Sequence, residues 1–220
     1  MRGNVYSARA NAEPQTPNPF ISLYTMSNGW DNFQRSLPNA PDVDVKRIRG
    51  NISDEEKQIN ANVFAYFCTG SGVTKFPPFC SEISWRLKIV EINVWDNVAT
   101  MVTESELVFE IEVTQDMCNV YGTMHGGCAA FLLDPATVAA MVLLGRTKRF
   151  DGTGVSTSMN VYWHHPAPLG TMLTVTTRSV FADGRARLAR CEMRDKATRK
   201  LIVSGTHAFL NAGKATASRL

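Results

Sequence analysis

The sequence predicts an α+β protein in which an antiparallel sheet wraps around one long central helix, with an N-terminal extension that contains another helix. Residues 128–144 form an apolar run interrupted only by Asp134, Pro135 and Thr137, which is typical of a helix buried nearly all round. Several shorter segments alternate apolar and polar residues, as half-buried strands do. Turn signals separate consecutive strands, which favours an antiparallel sheet with the helix against its concave face.

Composition limits the class of protein. The chain has 220 residues, 44% hydrophobic and 20% charged, which places it among soluble globular proteins with one folded domain and an extension. The net charge of +3 comes without a basic block, so a nucleic-acid partner is not expected. The apolar run is too short and too rich in alanine to predict a membrane span.

The chain divides into four predicted parts. Residues 1–50 form a proline-rich arm, 51–82 an amphipathic helix and linker, 83–212 the main domain, and 213–220 a tail. Prolines among Asn, Ser and Gln predict loop up to about residue 44: Pro14, Pro17, Pro19, Pro38 and Pro41. Apolar residues predict that part of this arm packs on the core or on a neighbouring subunit: Phe20, Ile21, Leu23, Tyr24, Trp30 and Phe33.

A capping box predicts the helix at residues 54–69. Ser53 is placed to accept a hydrogen bond from the third helical N–H, and Glu56 to reach back to the N–H of Ser53. The apolar residues Ile59, Val63, Phe64 and Phe67 follow at helical spacing. Gly70 and Gly72 close the segment.

Period-two alternation predicts the strands. It begins at Ile83 and runs to Ile89, and it returns at residues 107–113, with a turn between them near residues 95–97. Four more strands are predicted beyond the central helix, at residues 155–164, 172–181, 185–193 and 201–210. Asp183-Gly184 is a hairpin signal between the second and third of these, and residues 196–200 supply the next turn.

The stretch of residues 119–134 carries the candidate chemistry. Gly122, Gly126 and Gly127 allow tight turning before the helix, whose first N–H groups lack intrahelical partners and attract a negative oxygen. Asp134 is costly inside an apolar helix unless it has hydrogen-bond partners or a task. Pro135 supplies the alternative, in which the helix breaks and Asp134 simply faces solvent.

The cysteines predict reduced thiols in an intracellular protein. Five cysteines form an odd set with no C-x-x-C pair, and no histidines cluster at zinc spacing, so no metal site is expected. Cys118 and Cys128 flank the central motif, where a small buried thiol is commoner than a nucleophile. The start of the chain lacks a secretory pattern, which favours a cytoplasmic protein, and Arg2 and Arg9 before the first acid leave a mitochondrial alternative.

Residues 83–212 resemble the acyl-CoA thioesterases of the hotdog-fold superfamily, and within it the phenylacetyl-CoA-thioesterase-like group. The resemblance rests on these residues: Asn119, Gly122, His125-Gly126-Gly127, Asp134, Gly154-Val155-Ser156, Met159-Asn160 and Pro166-Ala167. Two departures concern acyl specificity. Ser158 stands where the group tends to carry an acid, and Trp163-His164-His165 is bulkier than expected near an acyl tunnel.

The resemblance implies hydrolysis of an acyl thioester at a site shared by two subunits. The N–H of Gly126 and the side chain of Asn119 would polarise the carbonyl, with His125 supporting that side. Asp134 of the facing subunit would activate water, and Ser156 would hold it. Whether Asp134 acts as general base or as nucleophile is open. Taken singly, Asn119 is as well suited to capping a turn, and His125 and Ser156 to structural roles.

Partners follow from the same resemblance. The substrate would be an acyl-CoA or acyl-carrier thioester, with coenzyme A present only as part of the substrate and no separate cofactor. Gly127 and several cations are candidates for binding it, the cations through the coenzyme A phosphates: Arg146, Lys148, Arg149, Arg185, Arg187 and Arg190. A homodimer is expected, from the resemblance and from the need to cover exposed sheet edges. Because tetramers are frequent in this group, the resemblance also implies a dimer of dimers.

Two other functions remain open at the level of sequence. A hotdog dehydratase or hydratase acting on 3-hydroxyacyl thioesters would use His125 with Asp134 as acid and base. A non-catalytic acyl-CoA-binding protein could use the N-terminal arm to recruit another protein. The glycine pair at the helix start and Ser156 favour hydrolysis.

Overall fold

The computed structural model describes residues 27–70 and 77–211. Its helices are α1 (Ser27–Ser36), α2 (Asp54–Thr69), α3 (Ser81–Ser84) and α4 (Gly126–Lys148). Its strands are β1 (Arg49–Gly50), β2 (Lys88–Asn97), β3 (Val102–Glu112), β4 (Val155–Trp163), β5 (Met172–Asp183), β6 (Ala186–Asp195) and β7 (Leu201–Leu210). Short 3-10 turns lie at Val45–Arg47 and Gln115–Met117. Gly72, the arm before residue 27 and the predicted tail lie outside the described residues.

One sheet contains all seven of these strands, in the order β1-β2-β3-β5-β6-β7-β4. All neighbours are antiparallel except β1, which runs parallel to β2. Helix α4 packs against β3, β5, β6 and β7, so the sheet wraps around it. The predicted α+β hotdog architecture is confirmed.

Helix α4 is the centre of the core. Of its 23 residues, 12 are buried, and Leu132, Leu133 and Ala136 are completely inaccessible. A Cβ atom added at Gly205 in β7 would lie 2.6 Å from the Leu133 Cδ1 atom, so the missing side chain lets helix and strand approach closely. The helix is long and apolar enough to cross a membrane by length and composition. Its apolar residues are instead buried against the sheet on one side and α2 on the other.

Helix α2 has the predicted bounds, Asp54–Thr69, and Ser53 accepts a hydrogen bond from the Glu56 N–H at 3.2 Å, as predicted. Gly70 ends the helix in the left-handed region with φ +72°. The other half of the capping box is wrong, because both Glu56 carboxylate oxygens accept hydrogen bonds from Arg146 of α4. A cation brought in by the fold displaces the local contact with Ser53.

Part of the predicted arm is helical, which corrects the expectation of loop up to residue 44. Helix α1 packs on α2 through a stack of aromatic rings. The Phe33 ring meets Tyr66 edge to face at 5.3 Å, and Trp30 lies 6.5 Å from Phe67 between ring centroids. These contacts agree with the expectation that apolar residues of the arm pack on the core.

The predicted strand at residues 83–89 is also corrected. Residues 81–84 form the short helix α3, and β2 begins only at Lys88. The buried Ser84 hydroxyl donates to the Cys68 carbonyl oxygen at 2.9 Å, which ties this turn to the end of α2. The alternation of seven residues was too short to separate a strand from a helical turn.

The predicted turn at 95–97 lies inside the β2–β3 ladder, where Trp95 pairs with Glu104 and Asn97 with Val102. The turn itself lies at residues 98–101. The four strands after α4 agree with the prediction to within two residues, and β7 matches it fully. The strand predicted at residues 107–113 is corrected at its start, because β3 begins at Val102, five residues earlier. The Asp183-Gly184 hairpin is confirmed, with Gly184 at φ +49°.

Candidate active site

The first turn of α4 is capped by His125. Its Nδ1 atom accepts a hydrogen bond from the Gly127 N–H at 2.9 Å, so the imidazole is the N-cap of the helix. Gly126, the first helical residue, has an N–H for which helix geometry provides no partner. A Cβ at Gly126 would lie 3.2 Å from the Trp163 Nε1 atom. The Gly126 N–H therefore lies near the Trp163 indole, at the positive end of a long helix dipole.

Asn119 lies at the same end of the helix. Its Oδ1 atom accepts hydrogen bonds from the Tyr121 N–H at 2.9 Å and the Thr123 N–H at 3.4 Å, which is the turn-capping role that Asn119 suits on its own. The side-chain amide N–H₂ group is therefore the part of Asn119 that remains for a ligand. Asn119 and Gly126 line one cavity of about 350 Å³ together with Trp163 and His165.

Asp134 lies on another part of the surface. The helix runs through Pro135 without a break, contrary to the alternative of a helix end at this point. The Asp134 side chain is 48% exposed. It lines a cavity of about 330 Å³ between α2 and α4, which also reaches Thr153 and Gly154 just before β4.

A histidine absent from the predicted site joins Asp134 to Ser156. His207 of β7 is fully buried, and its Nε2 atom lies 3.0 Å from the Ser156 Oγ atom. Its Nδ1 atom lies 2.8 Å from the Thr137 Oγ1 atom and 3.6 Å from the Asp134 Oδ1 atom. Burial lowers the pKa of His207, and the charge of Asp134 opposes this shift only in part.

A β-bulge aims Ser156 at this histidine. The β4–β7 register shifts between Ser156 and Ser158, leaving Thr157 as the extra residue. Ser156 pairs through its backbone with Phe209, yet its hydroxyl reaches His207. Sequence held a signal for His207, because Val203, Gly205, His207 and Phe209 alternate onto one buried face and only the histidine is polar.

The predicted site residues therefore form two groups on one chain. Asn119, Gly126 and the capping residue His125 lie at the start of α4. Asp134 and Ser156 meet through His207. Eight residues of helix separate Gly126 from Asp134, about 12 Å along the axis at 1.5 Å per residue. A single thioester carbonyl on one subunit does not reach both groups.

Two of the predicted cations have other partners. The Arg146 side chain is 5% exposed and binds the Glu56 and Asp31 carboxylates at 2.7 and 3.1 Å, with a further bond to Gln34. Arg187 is buried, donates to three backbone carbonyl groups and stacks on the Phe150 ring at 4.5 Å. These contacts correct the assignment of both residues to coenzyme A, because neither guanidinium is free to meet a phosphate.

Lys148, Arg149, Arg185 and Arg190 are exposed. Lys148 and Arg149 lie at the far end of α4 from Gly126, about 33 Å away by helix rise. Arg185 precedes β6 at the end of the sheet where Ala186, Leu210 and Val155 lie side by side, close to Ser156 in register. Its Nε donates to the Asn211 carbonyl oxygen, which leaves the outer guanidinium nitrogens exposed.

All five cysteines are free thiols. Burial raises the pKa of Cys128 to about 11 and that of Cys68 to about 12, so neither forms a thiolate near neutral pH. His164 and His165 bond to the Ser204 hydroxyl and the Leu201 carbonyl oxygen at the strand end, at 2.8 and 2.7 Å. His164 and His165 thereby stabilise the wall of the cavity that Asn119 also lines.

An antiparallel sheet wrapped around one long buried helix is the hotdog fold. The chain belongs to the thioesterase superfamily, whose family model matches residues 121–202. It is 30% identical to human acyl-coenzyme A thioesterase 13 over 102 residues, which are 46% of this chain and 70% of that protein. The chain is accordingly a thioester hydrolase.

Two further proteins are similar to it. A putative esterase of Caenorhabditis elegans is 33% identical over 111 residues, 50% of this chain and 63% of that one. The crystal structure of zebra fish thioesterase superfamily member 2 superposes with a TM-score of 0.51 and 23% identity, covering 68% of this chain and 95% of that chain. This structural likeness agrees with the fold described above.

Proposed function

We propose that the chain hydrolyses acyl-coenzyme A to the free acid and the thiol, at a site completed by two copies of the chain. The relatives named acyl-coenzyme A thioesterase 13 support coenzyme A as the thiol carrier. The observation that carries the shared site is the separation of the two groups of functional residues on one chain. The group at the start of α4 supplies hydrogen-bond donors, and the group around Asp134 supplies a base.

The group at the start of α4 suits the carbonyl oxygen. Thioester hydrolysis develops negative charge on that oxygen, and donors fixed in advance stabilise it without reorganisation. The N–H of Gly126 is fixed by the His125 cap on the next residue, and the Asn119 amide by the turn that its Oδ1 atom holds. One such donor is worth about 3 to 4 kcal/mol in comparable sites.

The group around Asp134 suits the attacking water. Asp134 of the facing subunit accepts a proton from water, and Ser156 of that same subunit holds the water in place. Half of the Asp134 side chain is accessible, so solvent and substrate reach it. An anhydride route, in which Asp134 itself attacks the carbonyl, uses the same placement.

The acyl group fits the cavity that Asp134 lines. Its wall is largely aromatic and aliphatic, from α2, from α4 and from the segment before α3: Val63, Phe64, Phe67, Phe131, Val138 and Phe79. At about 330 Å³ it is at the small end of ligand pockets and holds an acyl or arylacyl group, while the nucleotide stays outside. The N-terminal extension thus covers the acyl end of the substrate through α2.

The edge strand β4 is the surface on which two copies would pair. In the described part of the chain β4 pairs with β7 on one side and with no strand on the other, and Tyr162 and Trp163 are 61% and 56% exposed. An unpaired edge of this length invites another strand. Pairing two β4 strands would also bring the start of α4 in one subunit, where Trp163 lies beside Gly126, close to the partner subunit.

The tetramer and the cytoplasmic or mitochondrial location remain predictions.

The test is thiol release from a panel of acyl-CoA substrates, followed with a thiol-reactive dye. We expect wild type to release thiol and Asp134→Asn to lose at least a hundredfold in kcat, because the amide does not accept the proton. Glu112→Gln, which removes an exposed carboxylate at the end of β3, is the matched control and should retain full activity. Full activity of Asp134→Asn would remove Asp134 from the mechanism.

Two further measurements separate the alternatives. Absence of thiol release at every chain length, with retained acyl-CoA binding, would identify a non-catalytic binding protein instead. A crotonyl thioester that is hydrated without thiol release would identify a hydratase.

A further inference from the structure

His207 is placed to control the direction of the hydrogen bond made by Ser156. It is fully buried on β7 and touches polar groups through both ring nitrogens, Ser156 through Nε2 and Thr137 through Nδ1. A neutral imidazole has one N–H and one acceptor nitrogen. The tautomer therefore decides whether Ser156 donates to His207 or accepts from it.

The surroundings of Nδ1 select the tautomer with the proton on Nδ1. The Asp134 Oδ1 atom lies 3.6 Å from Nδ1, and a carboxylate at that distance repels a lone pair and attracts an N–H. The Thr137 hydroxyl has backbone acceptors of its own, the carbonyl oxygens of Leu133 and Asp134 at 2.8 and 2.9 Å. Thr137 thus donates to the helix and accepts from Nδ1.

With the proton on Nδ1, the Nε2 atom is an acceptor and Ser156 donates to it across 3.0 Å. The single hydroxyl proton of Ser156 is then used, and only its lone pairs face the active site. We propose that His207 is a positioning residue that makes Ser156 an acceptor for the attacking water. This inference rests on the proposed hydrolysis and adds a component to it.

The direction of the Ser156 hydrogen bond also fixes the orientation of the attacking water. One of its protons points to the Asp134 carboxylate and the other to the Ser156 oxygen, so its lone pair is directed at the carbonyl carbon. As the C–O bond forms, Asp134 takes the first proton. The C–S bond then breaks, and the leaving thiolate receives that proton from Asp134. A Ser156 that donated to the water would instead occupy the lone pair needed for attack.

Burial of His207 keeps this arrangement in place near neutral pH, because it lowers the pKa of the imidazole. Asp134 of α4 is the charged group that faces the ring among the described residues, and Thr137, Ser156 and Phe209 complete its contacts. Protonation of Nε2 would reverse the hydrogen bond to Ser156.

The kinetic test is a double-mutant cycle between positions 207 and 156. His207→Asn keeps an N–H for Thr137 and removes the acceptor for Ser156. We expect kcat to fall on the order of 10- to 100-fold with KM nearly unchanged, which is the range of one buried hydrogen bond. Ser156→Ala should fall by a similar factor, and the double variant no further, because His207 acts through Ser156.

Ser105→Ala is the control variant, because it also removes a buried hydrogen bond to α4, from its hydroxyl to the Ala140 carbonyl oxygen. We expect it to keep full kcat, which would show that the loss of a buried hydrogen bond does not by itself lower turnover. Losses that multiply in the double variant would overturn the role of His207. So would an acyl group found on Ser156 by mass spectrometry, because Ser156 would then be a nucleophile.

A second measurement does not depend on turnover. The ¹⁵N resonances of the His207 ring in the full-length protein should report a protonated Nδ1 and an unprotonated Nε2. The Nε2 resonance should move in Ser156→Ala and stay in Ser105→Ala. Protonation on Nε2 would refute the inference even if the wild type hydrolyses thioesters. If the protein shows the expected tautomer but releases no thiol, the hydrogen bonds around His207 stand as described and the proposed hydrolysis is refuted.

Discussion

His207 lies between two predicted site residues that are far from it in the chain. A histidine on the apolar face of a strand is unremarkable by itself. Its importance comes from Asp134, 73 positions earlier, and Ser156, 51 positions earlier, which the fold brings to its two sides. Asp134 and Ser156 were predicted as site residues, and His207 shows how they are connected.

The burial of His207 predicts a pH dependence of stability. Its pKa in the folded protein is lowered, so between that pKa and about pH 6.5 the unfolded chain binds a proton that the folded chain does not. The free energy of unfolding should therefore decrease as pH falls below about 6.5, by at most about 1.4 kcal/mol per pH unit. Urea unfolding of wild type and His207→Asn between pH 5 and 8 measures it. Equal slopes for the two proteins would contradict the prediction.

At the scale of elements, Arg146 joins the N-terminal helices to the central helix. It was predicted, as one of a group of cations, to bind the coenzyme A phosphates, with a favourable interaction with the dipole of its own helix as the alternative. Its carboxylate partners Glu56 and Asp31 lie 90 and 115 positions away. The structure thus assigns it to holding α1 and α2 over α4, where they form one wall of the acyl cavity.

Removing that cation should loosen the extension. We expect Arg146→Ala to reduce the free energy of unfolding by about 1 to 3 kcal/mol, a range lowered from that of a fully buried pair because Glu56 and Asp31 are 33% and 50% exposed. Thermal unfolding and proteolysis between α1 and α2 are the measurements. Lys148→Ala, an exposed cation two residues on, is the control and should change stability by less than about 0.5 kcal/mol. Equal effects of both variants would show that the clamp is unimportant.

At the scale of the whole molecule, the proposed function requires two chains. The proposed donor at Gly126 and the proposed base at Asp134 are separated by two turns of α4. Among residues 27–70 and 77–211, no strand pairs with the outer edge of β4. A substrate that spans a pair of subunits meets both groups. Exposed apolar residues at the end of β4, Tyr162 and Trp163, lie on the surface that pairing would cover.

Subunit mixing tests this arrangement. Asp134→Asn and Asn119→Ala each remove one half of every shared site, so both homodimers should be nearly inactive. After unfolding and refolding together, heterodimers contain one intact site, and random pairing should restore about a quarter of wild-type activity. If each site lay within one chain, no activity would return. Mixing Asp134→Asn with Asp134→Gln is the control for refolding and should stay inactive.

The sequence by itself determined the elements whose cause is local. The apolar run predicted α4, the capping serine predicted the start of α2, and Asp183-Gly184 predicted the hairpin between β5 and β6. Its resemblance to known thioesterases also named Asn119, Gly126, Asp134 and Ser156 as a set. The first three of these signals each lie within one continuous stretch of chain, where residue spacing and backbone preference are sufficient to predict the element.

Only the tertiary structure decided which side chains meet. It placed His207 between Asp134 and Ser156, gave Arg146 to the carboxylates of α1 and α2, and turned residues 83–87 into a helical turn tied to Cys68. These outcomes depend on contacts between residues far apart in sequence. Burial makes such contacts decisive, because a buried polar group without a partner is costly and takes whichever partner the packing of the sheet and helices brings to it.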